Sequence, residues 1–182
     1  MLKIKVKGQE LFNDITQEFF TINDQEIELE HSLLSVSKWE AKWHKPFLET
    51  AKTGFTPEEE IDYVRCMTIN KNVDPRVYYS LSQDNRKEIE SYINDPMTAT
   101  TITHIQKRPN REIVTSEIIY YWMVSFQIPF DCQKWHLARL MTLIEVCSIK
   151  NDPNKKKMRK NEIAQRNRAL NAERKAKYHT SG

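Results

Sequence analysis

The spacing of hydrophobic positions changes along the chain, and each change marks a change of element. Leu2, Ile4 and Val6 alternate with Lys3, Lys5 and Lys7, a period of two that predicts a strand. Glu18-Phe19-Phe20-Thr21-Ile22 is rich in strand formers. Asn23-Asp24 supplies a turn, and Ile27 and Leu29 then alternate with Glu26, Glu28 and Glu30. This predicts a hairpin followed, or preceded, by a third strand, in a small antiparallel sheet with one polar face. The Lys-rich and Glu-rich strands are expected to pair through opposite charge.

From residue 31 the period lengthens to that of helices. Leu33, Leu34, Val36, Trp39 and Trp43 recur every three or four positions through His44, and Pro46 stops the element. Thr56-Pro57-Glu58-Glu59-Glu60 is a helix start, with Thr56 as cap, Pro57 at the first helical position and Glu59 completing a capping box. Ile61, Val64 and Met67 or Thr68 continue that face. Asp74-Pro75 begins a short helical turn through Tyr78 and Leu81. Ser82 caps a further helix carrying Ile89, Tyr92 and Ile93 to Asn94, which Pro96 ends.

Residues 97–113 are β-branched and then polar, through Lys107-Arg108-Pro109-Asn110-Arg111, and read as an exposed strand or loop. Thr115 or Ser116 is the expected cap of the most hydrophobic helix. Ile118, Ile119, Trp122, Met123 and Phe126 form one face, and Tyr120, Tyr121 and Val124 fill most of the other. Such a helix is central or lies in an interface. After Ile128-Pro129, Asp131 is the expected cap of the next helix, with Leu137, Leu140, Met141, Ile144 and Cys147 or Ser148 at helical spacing. The two would form an antiparallel hairpin across about four residues. Asn151-Asp152-Pro153-Asn154 is a break. Met158 to Tyr178 then favours helix by propensity but has a thin apolar stripe.

The fold class is therefore mainly α with a small N-terminal antiparallel β-sheet (α+β). The expected organisation is a sheet over residues 1–30, a helical body over 31–151 and an extended basic helical arm over 152–182. Composition agrees. Hydrophobic residues make up 39% of the 182, enough for a core, and only three glycines argue against a large all-β fold and against phosphate-cradling loops.

Charge is uneven. Of 28 Lys/Arg and 25 Asp/Glu, residues 153–182 hold ten and two, a local charge of +8 that leaves −5 for the rest. The basic arm (Lys155, Lys156, Lys157, Arg159, Lys160, Arg166, Arg168, Arg174) fits a protein partner, nucleic acid or a solvated tail. No aromatics interleave to stack on bases, so nucleic acid is the less favoured partner. No apolar run is long enough to span a bilayer, and the alternating N-terminus is unlike an export signal. The chain is expected to stay inside the cell, without membrane contact.

Chemistry finds little support. Cys66, Cys132 and Cys147 are odd in number, with no CxxC pair. Cys132 and His136 stand at i, i+4 with Asp131 nearby, but a zinc site needs further ligands that only distant His31 or His44 would supply. A Cys–His nucleophile lacks a group to orient its base. Glu58-Glu59-Glu60 is explained by the positive end of a helix dipole. No catalytic, cofactor or metal residues are assigned, and the chain reads as a non-enzyme. Trp39, Trp43 and His44, ahead of Lys45-Pro46-Phe47-Leu48, form an aromatic stripe that is either core or an exposed anchor.

Several stretches carry a resemblance. Glu30-His31-Ser32-Leu33-Leu34-Ser35-Val36-Ser37-Lys38-Trp39-Glu40, Trp43-His44-Lys45-Pro46-Phe47-Leu48, Asp62-Tyr63-Val64-Arg65-Cys66-Met67-Thr68, Met97-Thr98-Ala99-Thr100, Ser116-Glu117-Ile118-Ile119-Tyr120-Tyr121-Trp122-Met123, Ile128-Pro129-Phe130-Asp131-Cys132-Gln133-Lys134-Trp135-His136-Leu137 and Leu170-Asn171-Ala172-Glu173-Arg174 together resemble a tail assembly chaperone of long-tailed (siphovirus) bacteriophages. The resemblance covers about residues 28–182. It implies a protein without catalytic residues that holds the tape-measure protein until tail-tube subunits polymerise around it. Other tail proteins, or further copies of the chain, are additional expected partners. Trp39, Trp43, Phe47, Trp122 and the basic arm are the candidate contacts. The alternatives are a structural virion component, such as a head–tail connector or minor tail protein, and a small nucleic-acid-binding protein.

Overall fold

The computed structural model describes residues 1–13, 17–102, 112–151 and 160–178. The chain divides into two compact units, Met1–Ser148 and Ile149–Gly182.

The first unit opens with four strands, β1 (Leu2–Val6), β2 (Gln9–Asn13), β3 (Glu18–Ile22) and β4 (Gln25–Leu29). They pair as two nested antiparallel ribbons, β1 with β4 and β2 with β3. The register places Lys3 opposite Glu28 and Lys5 opposite Glu26, so the charged faces do meet, and Lys3 Nζ lies 2.5 Å from Glu28 Oε1. Ile4, Val6, Ile27 and Leu29 point the other way and are buried. Each such side chain contributes roughly 1.5–3 kcal/mol. β2 was not expected, and the three strands in one sheet give way to four in two. The link between the ribbons needs Gly8: a Cβ there would lie 2.4 Å from the Ile22 carbonyl oxygen, and the Gly8 N–H donates to Asp24 Oδ1 at 2.7 Å.

Helices α1 (Leu33–Trp43), α2 (Phe47–Thr53), α3 (Pro57–Met67) and α4 (Gln83–Ile93) follow, with a 3-10 turn at Val77–Ser80. Three of them start on reciprocal caps. Ser32 pairs with Ser35, Thr56 with Glu59 and Ser82 with Asn85, each satisfying two orphan N–H groups. His44 closes α1 in the left-handed conformation (φ 52°). The chain then turns through Pro46 directly into α2, a short helix that sequence periodicity does not reveal. The exit from α3 runs beside β4, where Ile69 N–H donates to the Glu28 carbonyl at 2.9 Å and Glu30 N–H to the Met67 carbonyl at 2.9 Å.

Helix α5 (Ser116–Ser125) differs from expectation at its start. Neither Thr115 nor Ser116 caps it with a side chain. The buried Glu40 carboxylate does so from α1: Oε2 accepts from Ser116 N–H at 2.8 Å. Its other oxygen accepts from Phe47 N–H, also at 2.8 Å. One carboxylate thus serves two helix N-termini, where negative charge is favoured. Asp131 does not cap a helix either. Phe130–Lys134 winds into a 3-10 turn, and α6 begins only at Leu137 and runs to Asn151. The four-residue hairpin is accordingly replaced by a longer, partly helical link. Of the strand or loop expected over 97–113, residues 97–102 and 112–113 are irregular backbone, and 103–111 lie outside the described residues.

In the second unit Lys160–Tyr178 forms α7, the helix that propensity favours. Lys155, Lys156, Lys157 and Arg159 lie outside the described residues.

Candidate functional site

An aromatic nest sits between α1, α2 and α3. Trp39 is fully buried, with its ring centroid 5.4 Å from both Phe47 and Phe55. Its indole N–H donates to the Glu59 carbonyl at 3.0 Å. Phe47 lies 4.2 Å from Tyr63. Glu59 is held beneath Lys45, 2.6 Å away; that contact and the Thr56 backbone N–H keep its carboxyl below the usual range. The structure therefore corrects one reading of the aromatic stripe. Trp39 and Phe47 are core residues, and Trp39 offers no surface to a partner.

Beside this nest a cavity of about 500 Å³ opens between α2, α3 and α4. Phe47, Leu48 and Ala51 line it from α2, Ile61 and Val64 from α3, and Ile89 and Ile93 from α4, with Phe55 and Leu81 from the connections. Its size and apolar walls are those of a binding site. Polar groups gather in two places. His31 and Tyr63 lie on the inner wall, and Glu60 on α3, Arg86 and Glu90 on α4 and Asn94 just past its end carry the rest of the polar lining. Arg86 Nη1 lies 3.3 Å from Glu60 Oε1.

The inner polar groups are held outside their ordinary titration ranges. His31 Nδ1 is hydrogen-bonded to the Tyr63 hydroxyl, and its ring stands 5.1 Å from that of His136. Burial, reinforced by His136, pushes the His31 pKa down to about 3. Burial drives Tyr63 well above the usual phenol range. Near neutral pH His31 stays neutral and Tyr63 stays protonated. His136 Nε2 donates to the Tyr92 carbonyl at 3.0 Å, while its buried Nδ1 has no partner among the described residues.

Trp43 faces a second, smaller cavity of about 230 Å³ with Lys42, Asp62, Arg65 and Tyr79. Its indole N–H donates to Asp62 Oδ2 at 3.0 Å, and Lys42 pairs with the same carboxylate. Trp122 is half-buried on α5, while Tyr121 and Val124 on that helix are exposed. On α7, Arg166, Arg168 and Arg174 are exposed, and Lys160 is its first residue. Of the described candidate contacts, then, Phe47 alone lines the larger cavity.

Among the described residues no group of three His, Cys, Asp or Glu is placed to hold a metal ion. Cys132 and His136 do not share a helix: the first is in the 3-10 turn and the second precedes α6. All three cysteines are free thiols. Burial and the neighbouring Asp62 push Cys66 up to about 11, which disfavours the thiolate that nucleophilic chemistry needs. Among the described residues no helix is long and apolar enough to cross a membrane.

The chain has no match among protein-family models, curated proteins or solved structures. The cavity residues were not legible as a set, because they come from three helices and several of the connections around them. Ile61 and Val64 on one helix and Ile89 and Ile93 on another carried a periodic signal, and it pointed equally to core.

Proposed function

We propose that the chain is a non-enzymatic tail assembly chaperone that holds an apolar helical stretch of a phage tape-measure protein in the groove between α2, α3 and α4. It would do so in the cytoplasm of the infected bacterium. The observation that carries this reading is the apolar cavity of about 500 Å³, which gives the anchors of a docked helix a place to leave water. The protonation states of His31 and Tyr63 argue for holding rather than turning over a ligand. The exposed arginines of α7 suit a second contact with acidic stretches of the same partner.

Co-expression with the tape-measure protein of the same phage tests the reading. The chain should retain it in pull-downs and keep it soluble. Ala51→Trp, which fills the groove from its exposed edge, should abolish retention without unfolding the chain. Retention unchanged by Ala51→Trp rejects the groove, and no retention by the unmodified chain rejects the chaperone. Mass spectrometry of purified virions separates the rival reading of a structural component, because a chaperone is absent from the finished particle.

A further inference from the structure

The polar lining of the groove is more selective than its apolar walls. Among the described residues it carries two carboxylates, Glu60 on α3 and Glu90 on α4, against one guanidinium, Arg86. Arg86 reaches Glu60 by a single contact of 3.3 Å between partly exposed groups, an arrangement that contributes little in water. Glu90 stands one turn beyond Arg86, is exposed, and has no ion-pair partner among the described residues. The described residues of the groove therefore present an unbalanced negative charge beside apolar walls, in a chain whose residues 1–152 carry a net −5.

We propose that the groove selects a helix bearing a lysine or arginine about one turn from its apolar anchors, with Glu90 as the counter-charge. This rests on the groove reading above. Ile89 and Ile93 are spaced i, i+4 and form a ridge along one wall, the shape that the grooves of an incoming helix accommodate. The aliphatic stem of a lysine lies along such a ridge while its ammonium stays in water at the rim. An acidic residue at the same place would meet two carboxylates and would have to take Arg86 from Glu60. The opposite charge of the body also steers a basic segment toward the groove before contact.

Two helical peptides of about 15 residues test this on the full chain, read by calorimetry and by amide NMR shifts. Both carry leucines at i, i+3, i+4 and i+7; one has lysines beside them and the other glutamates. The lysine peptide should bind and shift the amides of Ile89 and Ile93. The glutamate peptide should bind about two- to five-fold more weakly for each exchanged charge. Glu90→Gln, an exposed substitution, should shrink the difference, as should about 1 M salt. Equal affinity for the two peptides, no binding of either, or shifts confined to the Tyr121 face of α5 overturns the proposal. So does concentration-dependent self-association of the unliganded chain that Glu90→Gln removes, since the occupant is then a second copy. If charge preference fails while Ala51→Trp still blocks tape-measure retention, this inference falls and the groove reading stands.

Discussion

The most consequential single residue in the first unit is His31. It was quoted in the sequence only as part of a resemblance and as a remote metal ligand. The fold instead sets it against Tyr63, His136 and Phe47. Its folded pKa of about 3 lies below the free value of 6.5. The unfolded chain therefore binds a proton that the folded chain refuses. The stabilisation is fully present above pH 6.5 and is lost as pH falls from 6.5 toward 3, by up to about 1.4 kcal/mol per pH unit. Urea denaturation across that window should show the loss. In His31→Gln the slope should flatten by nearly one proton; an unchanged slope would refute the assignment. The partner that matters, His136, is far away in sequence. No spacing rule brings two such histidines together.

Among the elements, legibility follows how local the determinant is. The capping box at Thr56 and the cap at Ser82 were readable because their determinants lie within three residues. The Lys-rich and Glu-rich strands found each other because their charge patterns alternate in register. What failed was non-local. α5 takes its cap from Glu40, which nothing near Thr115 indicates. α2 is hidden behind Pro46 and too short for a period to register. β2 was missed because Gln9–Asn13 alternates weakly, and its place is set by pairing with β3. The turn at Gly8 shows how tightly that pairing is built. Gly8→Ala would press a methyl group onto the backbone at Ile22–Asp24, so the ribbons must shift. A loss of about 1–3 kcal/mol is expected, measurable as a lower denaturation midpoint with an unchanged slope.

For the whole molecule, periodicity and the scarcity of glycine pointed to the fold class, which is mainly α with a small β region. The groove was not foreseeable in the same way, since a cavity is space left between helices and no single segment encodes it. The Glu40 carboxylate has a consequence at this scale. It accepts from Phe47 N–H and from Ser116 N–H, the latter 76 positions further along the chain. Detaching α5 alone would strand a buried carboxylate oxygen and an amide together. The two helix starts should therefore open as one foldon: native-state hydrogen exchange should give the Phe47 and Ser116 amides a common opening free energy, and Glu40→Ala should release both at once. If α5 exchanges freely while Phe47 stays protected, the two ends are independent. Held this way, the α2 wall of the groove is as durable as its tie to α5 through Glu40, so the proposed partner would meet a fixed surface rather than one that must first assemble.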